Sequence, residues 1–203
     1  MTLRFDVLGT LRDSMDVWCA IRTYPKHAEE LGNPIPQEPV FFLKSTSSVV
    51  SFGQIDTCGG DVHHEVELVL KLGDDLMPTE MALGLDLTKR SVQDRLKAGG
   101  LPWAEAKAFA GSTVIGDWVK YNPNAEYGLK INGNEVQRGS LVEMSWTPRE
   151  LIDKLSNWAP IMKGDVLFTG TPAGVGPLVA GDAVTASLYL DGACIDTQSA
   201  DCV

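Results

Sequence analysis

The sequence has few features of secreted, membrane-spanning or nucleic-acid-binding proteins. Its four cysteines are scattered, with no Cys-x-x-Cys pair, so we expect reduced thiols in a cytoplasmic protein. No apolar run approaches the ~20 residues that a membrane-spanning helix needs, and the first eleven residues hold no apolar segment long enough for a signal peptide. Basic residues are scarce, since 17 Lys and Arg accompany 27 Asp and Glu, giving a net charge of −10. This charge argues against nucleic acid or an anionic membrane as a partner, and an anionic small molecule would need positive charge supplied by its own site.

Internal repeats, low-complexity tracts and linkers are also absent, and 44% of the residues are hydrophobic. We therefore expect a single catalytic domain over residues 1–203, with about residues 1–20 as an N-terminal strand extension. Short β-rich runs dominate, at residues 40–44, 65–71, 129–132, 166–169 and 184–190.

Turn and capping signals complete this outline. Asn132-Gly133 and Asp191-Gly192 each predict a type I′ hairpin. Thr147-Pro148-Arg149-Glu150 provides an N-cap, a proline at the first helical position and a capping-box glutamate, which predicts a helix to about residue 158. Two more short helices are expected at 25–31 and 91–98, each stopped by glycine. Many strands with a few short helices indicate a β-rich α+β fold.

Carboxylates are concentrated in two short stretches, His63-His64-Glu65-Val66-Glu67 and Leu85-Asp86-Leu87-Thr88. In a strand, Glu65 and Glu67 would share a face roughly 6.5–7 Å apart, where like charges repel unless a cation lies between them. With Asp86 as a third ligand, the oxygen donors suit Mg²⁺, or Mn²⁺. The alternative is a solvated edge strand whose glutamates face water, which is the commoner outcome for two glutamates considered alone.

The two stretches belong to a longer series of motifs. The motifs are Tyr24…His27…Glu30, Glu38-Pro39-Val40-Phe41-Phe42-Leu43-Lys44, the two acidic stretches, Arg90…Gln93, Leu101-Pro102-Trp103…Lys107-Ala108-Phe109 and Thr169-Gly170-Thr171-Pro172-Ala173-Gly174-Val175-Gly176. By these motifs the chain resembles the fumarylacetoacetate hydrolase family, closest to its small acylpyruvase-type branch. The resemblance implies a mixed β-sandwich roll, a homodimer and a Mg²⁺ site at Glu65, Glu67 and Asp86. Relatives hydrolyse acylpyruvates, decarboxylate oxaloacetate or isomerise unsaturated dicarboxylates, so the substrate stays open.

His27 and Glu30 are three residues apart on a short predicted helix and so share a face. A carboxylate beside an imidazole orients the ring and raises its basicity, which suits a general base acting on water. The resemblance favours this dyad, on a lid that orders over substrate. Without the resemblance, an exposed pair in a charged helix would be the simpler interpretation.

The remaining candidates are expected to contact substrate. The resemblance assigns Lys107 to an enolate oxygen, Arg90 and Gln93 suit a substrate carboxylate, and Lys44 is a further expected ligand. The run from Gly170 to Gly176 lacks the Gly-Lys-Ser/Thr ending of a phosphate-binding loop and the strand-to-helix context of a dinucleotide site. We expect an anion-binding nest there, with the Thr171 hydroxyl contributing.

The histidine pair is not expected to bind metal. Adjacent strand residues point to opposite faces, and no His-Glu-x-x-His zinc pattern occurs. We therefore expect His63 and His64 to support the site or the fold.

Several positions depart from the family pattern. Thr23 replaces the usual asparagine, Ser45 the usual proline and Ser91 the usual aspartate. The link from Glu67 to Asp86 is shorter than usual by about ten residues, the length of a short helix with its turn. That shortening either misplaces Asp86 or trims a peripheral helix.

Together these features predict a Mg²⁺-dependent enzyme that cleaves a C–C bond in acylpyruvate-type 2-oxo acids. His27 and Glu30 would activate water, and Lys107 would stabilise the enolate. One alternative keeps the site but decarboxylates oxaloacetate or isomerises a hydroxymuconate-type diacid. Another is a degenerate, non-catalytic dimeric binding protein, which only the short link and Ser91 support.

Overall fold

The structure, a computed structural model, describes residues 15–32 and 34–203. Most of the expected N-terminal extension thus lies outside the described residues, although its end contributes to the first strand. The strands are β1 (Val17–Ile21), β2 (Val40–Lys44), β3 (Val49–Val50), β4 (Gln54–Ile55), β5 (Val62–His64), β6 (Val66–Leu72), β7 (Pro78–Asp86), β8 (Thr88–Lys89), β9 (Thr113–Ile115), β10 (Val119–Lys120), β11 (Glu126–Ile131), β12 (Asn134–Ser140), β13 (Val166–Phe168), β14 (Gly176–Pro177), β15 (Ala183–Leu190) and β16 (Ala193–Cys202). The α-helices are α1 (Pro25–Glu30), α2 (Arg90–Ala98), α3 (Ala104–Lys107) and α4 (Pro148–Ser156), and short 3₁₀ turns occupy Thr46–Ser48, Cys58–Gly60 and Leu141–Glu143. Within the described ranges, no helix has the length and apolar character needed to cross a membrane.

The strands form three sheets, which confirms the β-rich α+β fold. The main sheet has eight strands in the order β2-β1-β13-β6-β7-β9-β3, with β10 also paired to β7. It is mixed, because β1 runs parallel to β13 and β3 parallel to β9. A five-stranded sheet has the order β12-β11-β15-β16-β4, and a three-stranded sheet has the order β14-β5-β8.

Side-chain alternation divides the interior into two cores. Leu68 and Leu70 on β6 join the larger core, where they meet Leu129 and Leu188 from the five-stranded sheet. Val69 lies on the opposite face of β6, in a smaller core. Because strand residues two apart share a face, Glu67 points to the same side as Val69. Both faces of the main sheet are therefore covered, and Glu67 lies at one end of the smaller core.

Local sequence signals gave most of the turns and caps correctly. Asn132 and Asp191 have φ of 52° and 49°, and the glycines that follow them also have positive φ, as type I′ turns require. Thr147 and Glu150 form the expected capping box, and α4 ends at Ser156, slightly earlier than expected. The expected strand at 65–71 begins one residue later, because the chain passes at Glu65 from the three-stranded sheet to the main sheet.

Candidate active site

The three predicted metal ligands converge at the open end of the hairpin formed by β6 and β7. Glu67 lies opposite Gly84, and the Asp86 amide donates to the Glu65 carbonyl oxygen at 2.9 Å. One carboxylate oxygen from each of Glu65, Glu67 and Asp86 lies within 4.8 Å of the others, and all three residues are buried. The short link from Glu67 to Asp86 is thus a β-hairpin that brings Asp86 into the cluster, which removes the concern that Asp86 is misplaced.

Close packing beneath the cluster requires a glycine on β7. A Cβ at Gly84 would lie 2.4 Å from Val69 Cγ2 and 2.8 Å from Phe168 Cε1. Both neighbours are fully buried, so neither has room to move away. Gly84 therefore allows β6, β7 and β13 to pack at the spacing that places Glu67 beside Asp86.

Two lysines and an arginine contact the acidic cluster. Lys107 Nζ lies 2.8 Å from Glu65 Oε2 and 2.6 Å from Asp86 Oδ2, and Lys44 Nζ lies 2.6 Å from Asp86 Oδ1. Arg90 Nη2 lies 2.6 Å from Glu65 Oε1. Burial opposes ionisation of Glu65, but the charges of Lys107 and Arg90 outweigh it and hold the Glu65 pKa well below its usual range. Burial likewise opposes the charge of Lys107, but Asp86 and Glu65 outweigh it and raise the Lys107 pKa.

Glu67 differs from the other two carboxylates because no basic side chain in the described residues pairs with it. Its Oε2 accepts a hydrogen bond from the Gly170 amide at 2.6 Å, while burial, followed by repulsion from Asp86 and Glu65, raises its pKa. A buried carboxylate in this position is stable only if it is protonated or paired with a cation. Three convergent carboxylates, one without a counter-charge, fit a hard divalent cation such as Mg²⁺ or Mn²⁺.

The expected histidine–carboxylate dyad is present on α1. His27 Nδ1 lies 3.3 Å from Glu30 Oε2, and the Gly174 amide donates to both Glu30 oxygens at 3.0 and 3.2 Å. An ionised carboxylate only accepts hydrogen bonds, so Nδ1 carries the hydrogen and Nε2 is the basic nitrogen. Glu30, itself fixed by Gly174, therefore sets both the orientation and the tautomer of His27.

One cavity collects most of the residues expected to act on substrate. The expected residues that line it are His27, Glu65, Glu67, Asp86, Arg90, Gln93, Lys107 and Thr171. Arg90 Nη1 also donates to Gln93 Oε1 at 2.7 Å, so these two residues act as a bonded pair. Lys107 uses two of its three N–H donors on Glu65 and Asp86, which leaves the third for a substrate oxygen.

Lys44, a predicted substrate ligand, pairs with Asp86 and is not among the residues that line the cavity. Its side chain is 0% exposed, it does not line the cavity, and its ammonium group bonds to Asp86 from behind. Its neighbours on β1 and β2 direct it to the same face as Cys19 and Phe42, where the end of the lysine reaches only the buried side of the cluster. Lys44 therefore positions Asp86, and its predicted contact with substrate stays a prediction.

Two backbone amides of the glycine-rich run donate to carboxylates of the protein itself, while the expected nest for a substrate anion stays a prediction. Gly170 donates to Glu67, and Gly174 donates to Glu30. Gly170 has φ of +98°, and a Cβ there would lie 2.0 Å from Thr23 Oγ1, so a larger residue does not fit. The run thus joins the acidic cluster to the histidine dyad through two backbone amides.

Thr171 lines the cavity with its hydroxyl group already engaged. Its Oγ1 donates to the Val66 carbonyl at 2.8 Å and accepts from Gln137 Nε2 at 2.8 Å. One lone pair therefore remains for a substrate donor, and Thr171 stays a predicted substrate ligand.

Sequence reasoning missed Gln137, a buried glutamine on β12. Its Oε1 accepts from His64 Nδ1 at 2.9 Å and from the Val66 amide at 3.1 Å, and its Nε2 also donates to the Pro172 carbonyl at 2.8 Å. Gln137 thus holds the backbone between Glu65 and Glu67 against the glycine-rich run. His64 supports Gln137, and neither His63 nor His64 lines the cavity, in agreement with the expected supporting role.

The departures from the family pattern lie outside the reacting part of the site. Thr23 is buried and donates to the Thr169 carbonyl at 2.6 Å. Ser45 and Ser91 are exposed and do not line the cavity. Because Asp86 lies in the cluster and Ser91 lies at the surface, neither the short Glu67–Asp86 link nor Ser91 supports a degenerate protein.

Comparison with known proteins agrees with this geometry. The family model described as fumarylacetoacetate (FAA) hydrolase C-terminal matches residues 16–198. Oxaloacetate tautomerase YcgM from Escherichia coli strain K12 is 36% identical over 204 residues, covering 90% of this chain and 91% of its own. Mitochondrial oxaloacetate tautomerase FAHD1 from Arabidopsis thaliana is 38% identical over 188 residues, covering 84% of each chain.

A solved structure of fumarylpyruvate hydrolase from Pseudomonas aeruginosa, in complex with Mn²⁺ and pyruvate, superposes with a TM-score of 0.83. It is 30% identical and covers 93% of this chain and 89% of its own. The family match over nearly the whole chain, the shared fold and the full-length relatives agree with one another. The chain therefore belongs to the fumarylacetoacetate hydrolase family.

Proposed function

We propose that this protein is a metal-dependent enzyme that forms or consumes the enol of a small 2-oxo acid, with keto–enol interconversion of oxaloacetate as its main reaction. The observation that carries this proposal is that one cavity holds the carboxylate cluster, the basic nitrogen of His27 and the ammonium group of Lys107. The oxaloacetate tautomerases that are 36% and 38% identical over most of their length favour this substrate.

Glu65, Glu67 and Asp86 would hold Mg²⁺ or Mn²⁺, and the cation would supply Lewis-acid chemistry by withdrawing electrons from a 2-oxo acid bound beside it. Proton transfer and the stabilisation of negative charge would fall to side chains of the protein. Interconversion of enol and keto forms removes a proton from the enol oxygen and adds one at C3. His27 lines the cavity and its Nδ1 is held by Glu30, so its other ring nitrogen, Nε2, would carry this proton. The free N–H of Lys107 is placed to stabilise negative charge on the substrate oxygen.

A second candidate reaction is the hydrolysis of an acylpyruvate, which the sequence alone favoured. His27 would then take a proton from water, the water oxygen would attack the distal carbonyl, and C–C cleavage would leave the enolate of pyruvate near Lys107. The His27–Glu30 dyad supports this reaction, as does the similarity to the fumarylpyruvate hydrolase of P. aeruginosa. Decarboxylation of oxaloacetate and isomerisation of an unsaturated diacid use the same site and stay as alternatives.

A substrate panel with and without metal tests the proposal. Four reactions are each followed with Mg²⁺ and again with excess chelator. They are the ketonisation of enol oxaloacetate, the decarboxylation of oxaloacetate, the hydrolysis of acylpyruvates and the isomerisation of unsaturated diacids. We expect the largest chelator-sensitive rate for the ketonisation. A larger rate for acylpyruvate cleavage would select the second candidate, and the absence of any chelator-sensitive reaction would reject both.

Lys107 provides a prediction that applies to both candidate reactions. Lys107→Met removes the ammonium group but keeps most of the apolar volume, and we expect ketonisation and hydrolysis to fall together by roughly 10²–10³-fold, the usual effect of losing one donor to a developing oxyanion. Initial rates at saturating Mg²⁺ measure this loss, and Lys163→Met, which removes an exposed lysine paired with Asp74, is the control. A loss confined to one reaction would show that Lys107 does not act on a shared enolate.

We also propose that the protein is a homodimer. The family resemblance implies a dimer, and among residues 15–32 and 34–203 the main sheet ends at β2, with Val40 and Leu43 exposed. Sheet edges in β-rich proteins are usually covered, because an open edge pairs with other chains. We expect sedimentation at micromolar concentration to give twice the chain mass of 21.9 kDa, whereas a monomeric mass would reject the dimer.

A further inference from the structure

Helix α2 presents a row of polar side chains to the cavity. Arg90, Gln93 and Lys97 all line it, and their spacing of three and four residues places them on one face of the helix. Arg90 lies at the first turn, bonded to Glu65 of the acidic cluster. Lys97 lies two turns later, about 10 Å along the helix axis at 1.5 Å per residue. The row therefore leads from the acidic cluster to a separate positive charge.

Among the described residues, Lys97 differs from Lys107 because its ammonium group bonds to no carboxylate. Lys107 bonds to two carboxylates, whereas the Lys97 ammonium group makes no hydrogen bond or ion pair with any residue in the described ranges. Its ammonium group lies 5.9 Å from the centroid of the Trp103 ring, which also lines the cavity. Burial, followed by the charge of Arg22, lowers the Lys97 pKa. An anion bound here would offset the cost of burying the Lys97 charge and the repulsion between Lys97 and Arg22.

Arg22 adds positive charge and backbone strain at the same place. It lines the cavity and has φ of +54°, a conformation that costs energy for a residue other than glycine and that is concentrated at functional sites. Its Nη1 donates to the Pro34 carbonyl at 3.5 Å, so its side chain is held near the cavity. Two cationic side chains thus lie beyond those that contact the acidic cluster.

We propose that Lys97, assisted by the charge of Arg22, binds the carboxylate of the substrate that is remote from the 2-oxo acid group. The acidic cluster and its cation take the 2-oxo acid end, and Lys97 takes the other end. The substrate class is then the 2-oxo dicarboxylic acids, in preference to monocarboxylic 2-oxo acids. This inference rests on the proposed function for the location of the 2-oxo acid end, but it can be tested by binding alone.

Calorimetric titration in saturating Mg²⁺ compares two four-carbon acids, oxaloacetate and 2-oxobutyrate, which lacks the second carboxylate. We expect the parent protein to bind oxaloacetate more tightly by roughly tenfold or more, because a hydrogen bond between charged groups commonly contributes that much. Lys97→Met should remove most of this preference while changing 2-oxobutyrate affinity less than about twofold, on the same basis. Lys97→Arg, which keeps the charge, should retain the preference.

Lys71→Met is a matched control, because the Lys71 ammonium group also lies above a tryptophan ring, 5.1 Å from the Trp118 centroid, but outside the cavity. It should bind both acids as the parent does. Three results would each overturn the inference. Lys97→Met could weaken the binding of both acids equally, or it could leave the affinity for oxaloacetate unchanged. The third result is a parent protein that binds both acids equally well. Absence of turnover with retained preference would instead reject the proposed function and leave the subsite intact.

Discussion

Replacing His27 by alanine is expected to slow ketonisation of oxaloacetate and hydrolysis of acylpyruvates by roughly 10²–10⁴-fold, the usual contribution of a general acid–base group. Both reactions move a proton at the substrate, and Nε2 of His27 is the basic nitrogen that Glu30 and Gly174 prepare for that transfer. Decarboxylation of keto oxaloacetate needs no attacking water and no base, so it should fall much less. The measurement is the ratio of these activities at saturating Mg²⁺.

One further variant separates proton transfer from the positioning of helix α1. Glu30→Gln can still accept a hydrogen bond from the Gly174 amide, but it removes the charge beside His27. We expect it to lower the two proton-transfer reactions while preserving affinity for oxalate, a probe that has no proton to transfer. If His27→Ala reduces decarboxylation as strongly as the other activities, His27 positions the substrate or the helix, and its assignment as the base is wrong.

Removing one charge from the acidic cluster is expected to weaken binding of Mg²⁺ and Mn²⁺ by roughly 100-fold or more, because the affinity of an oxygen site depends on its charge and its ligand number. Asp86→Asn and Glu67→Gln should both show this loss by calorimetry. Activity on oxaloacetate should fall to near the background rate in both. Unchanged affinity in either variant would mean that the residue is not a ligand.

The same two variants should differ in their effects on stability without metal. Asp86 neutralises Lys44 and Lys107, so Asp86→Asn leaves two buried ammonium groups short of a partner and should lower the melting temperature. Glu67 has no basic partner and is repelled by its neighbours, so Glu67→Gln removes an unfavourable charge while keeping an acceptor for Gly170. It should leave the metal-free melting temperature unchanged or raised. A large destabilisation by Glu67→Gln would show that Glu67 has a structural role instead.

The acidic cluster could be predicted from the sequence because the signals involved are local or repeated through the family. Glu65 and Glu67 are two residues apart, and Asp86 lies in a short recognisable motif. The hairpins at Asn132-Gly133 and Asp191-Gly192 likewise follow from dipeptides that tolerate positive φ. The Glu67–Asp86 link was harder to interpret, because a shortened connection has the same sequence signature whether it trims a helix or displaces a ligand.

The supporting contacts could not be predicted, because they join residues far apart in the chain. Gln137 bonds to residues more than 30 and more than 70 positions away, and no local pattern marks a glutamine with four such partners. The burial of Lys44 depends on the pairing of β1 with β2, which places the lysine behind Asp86. Lys97 did carry a signal, since its spacing from Arg90 and Gln93 is that of one helical face.

The central claim is that the buried carboxylates bind a divalent cation that the protein needs to act on a small 2-oxo acid. Its most direct test is the rate of ketonisation of enol oxaloacetate by a single preparation, assayed with Mg²⁺, then with excess chelator, and then with Mg²⁺ restored. We predict that the rate falls to background with chelator and recovers when Mg²⁺ returns, and that Asp86→Asn stays at background throughout. A rate that chelator and Asp86→Asn leave unchanged would contradict the claim.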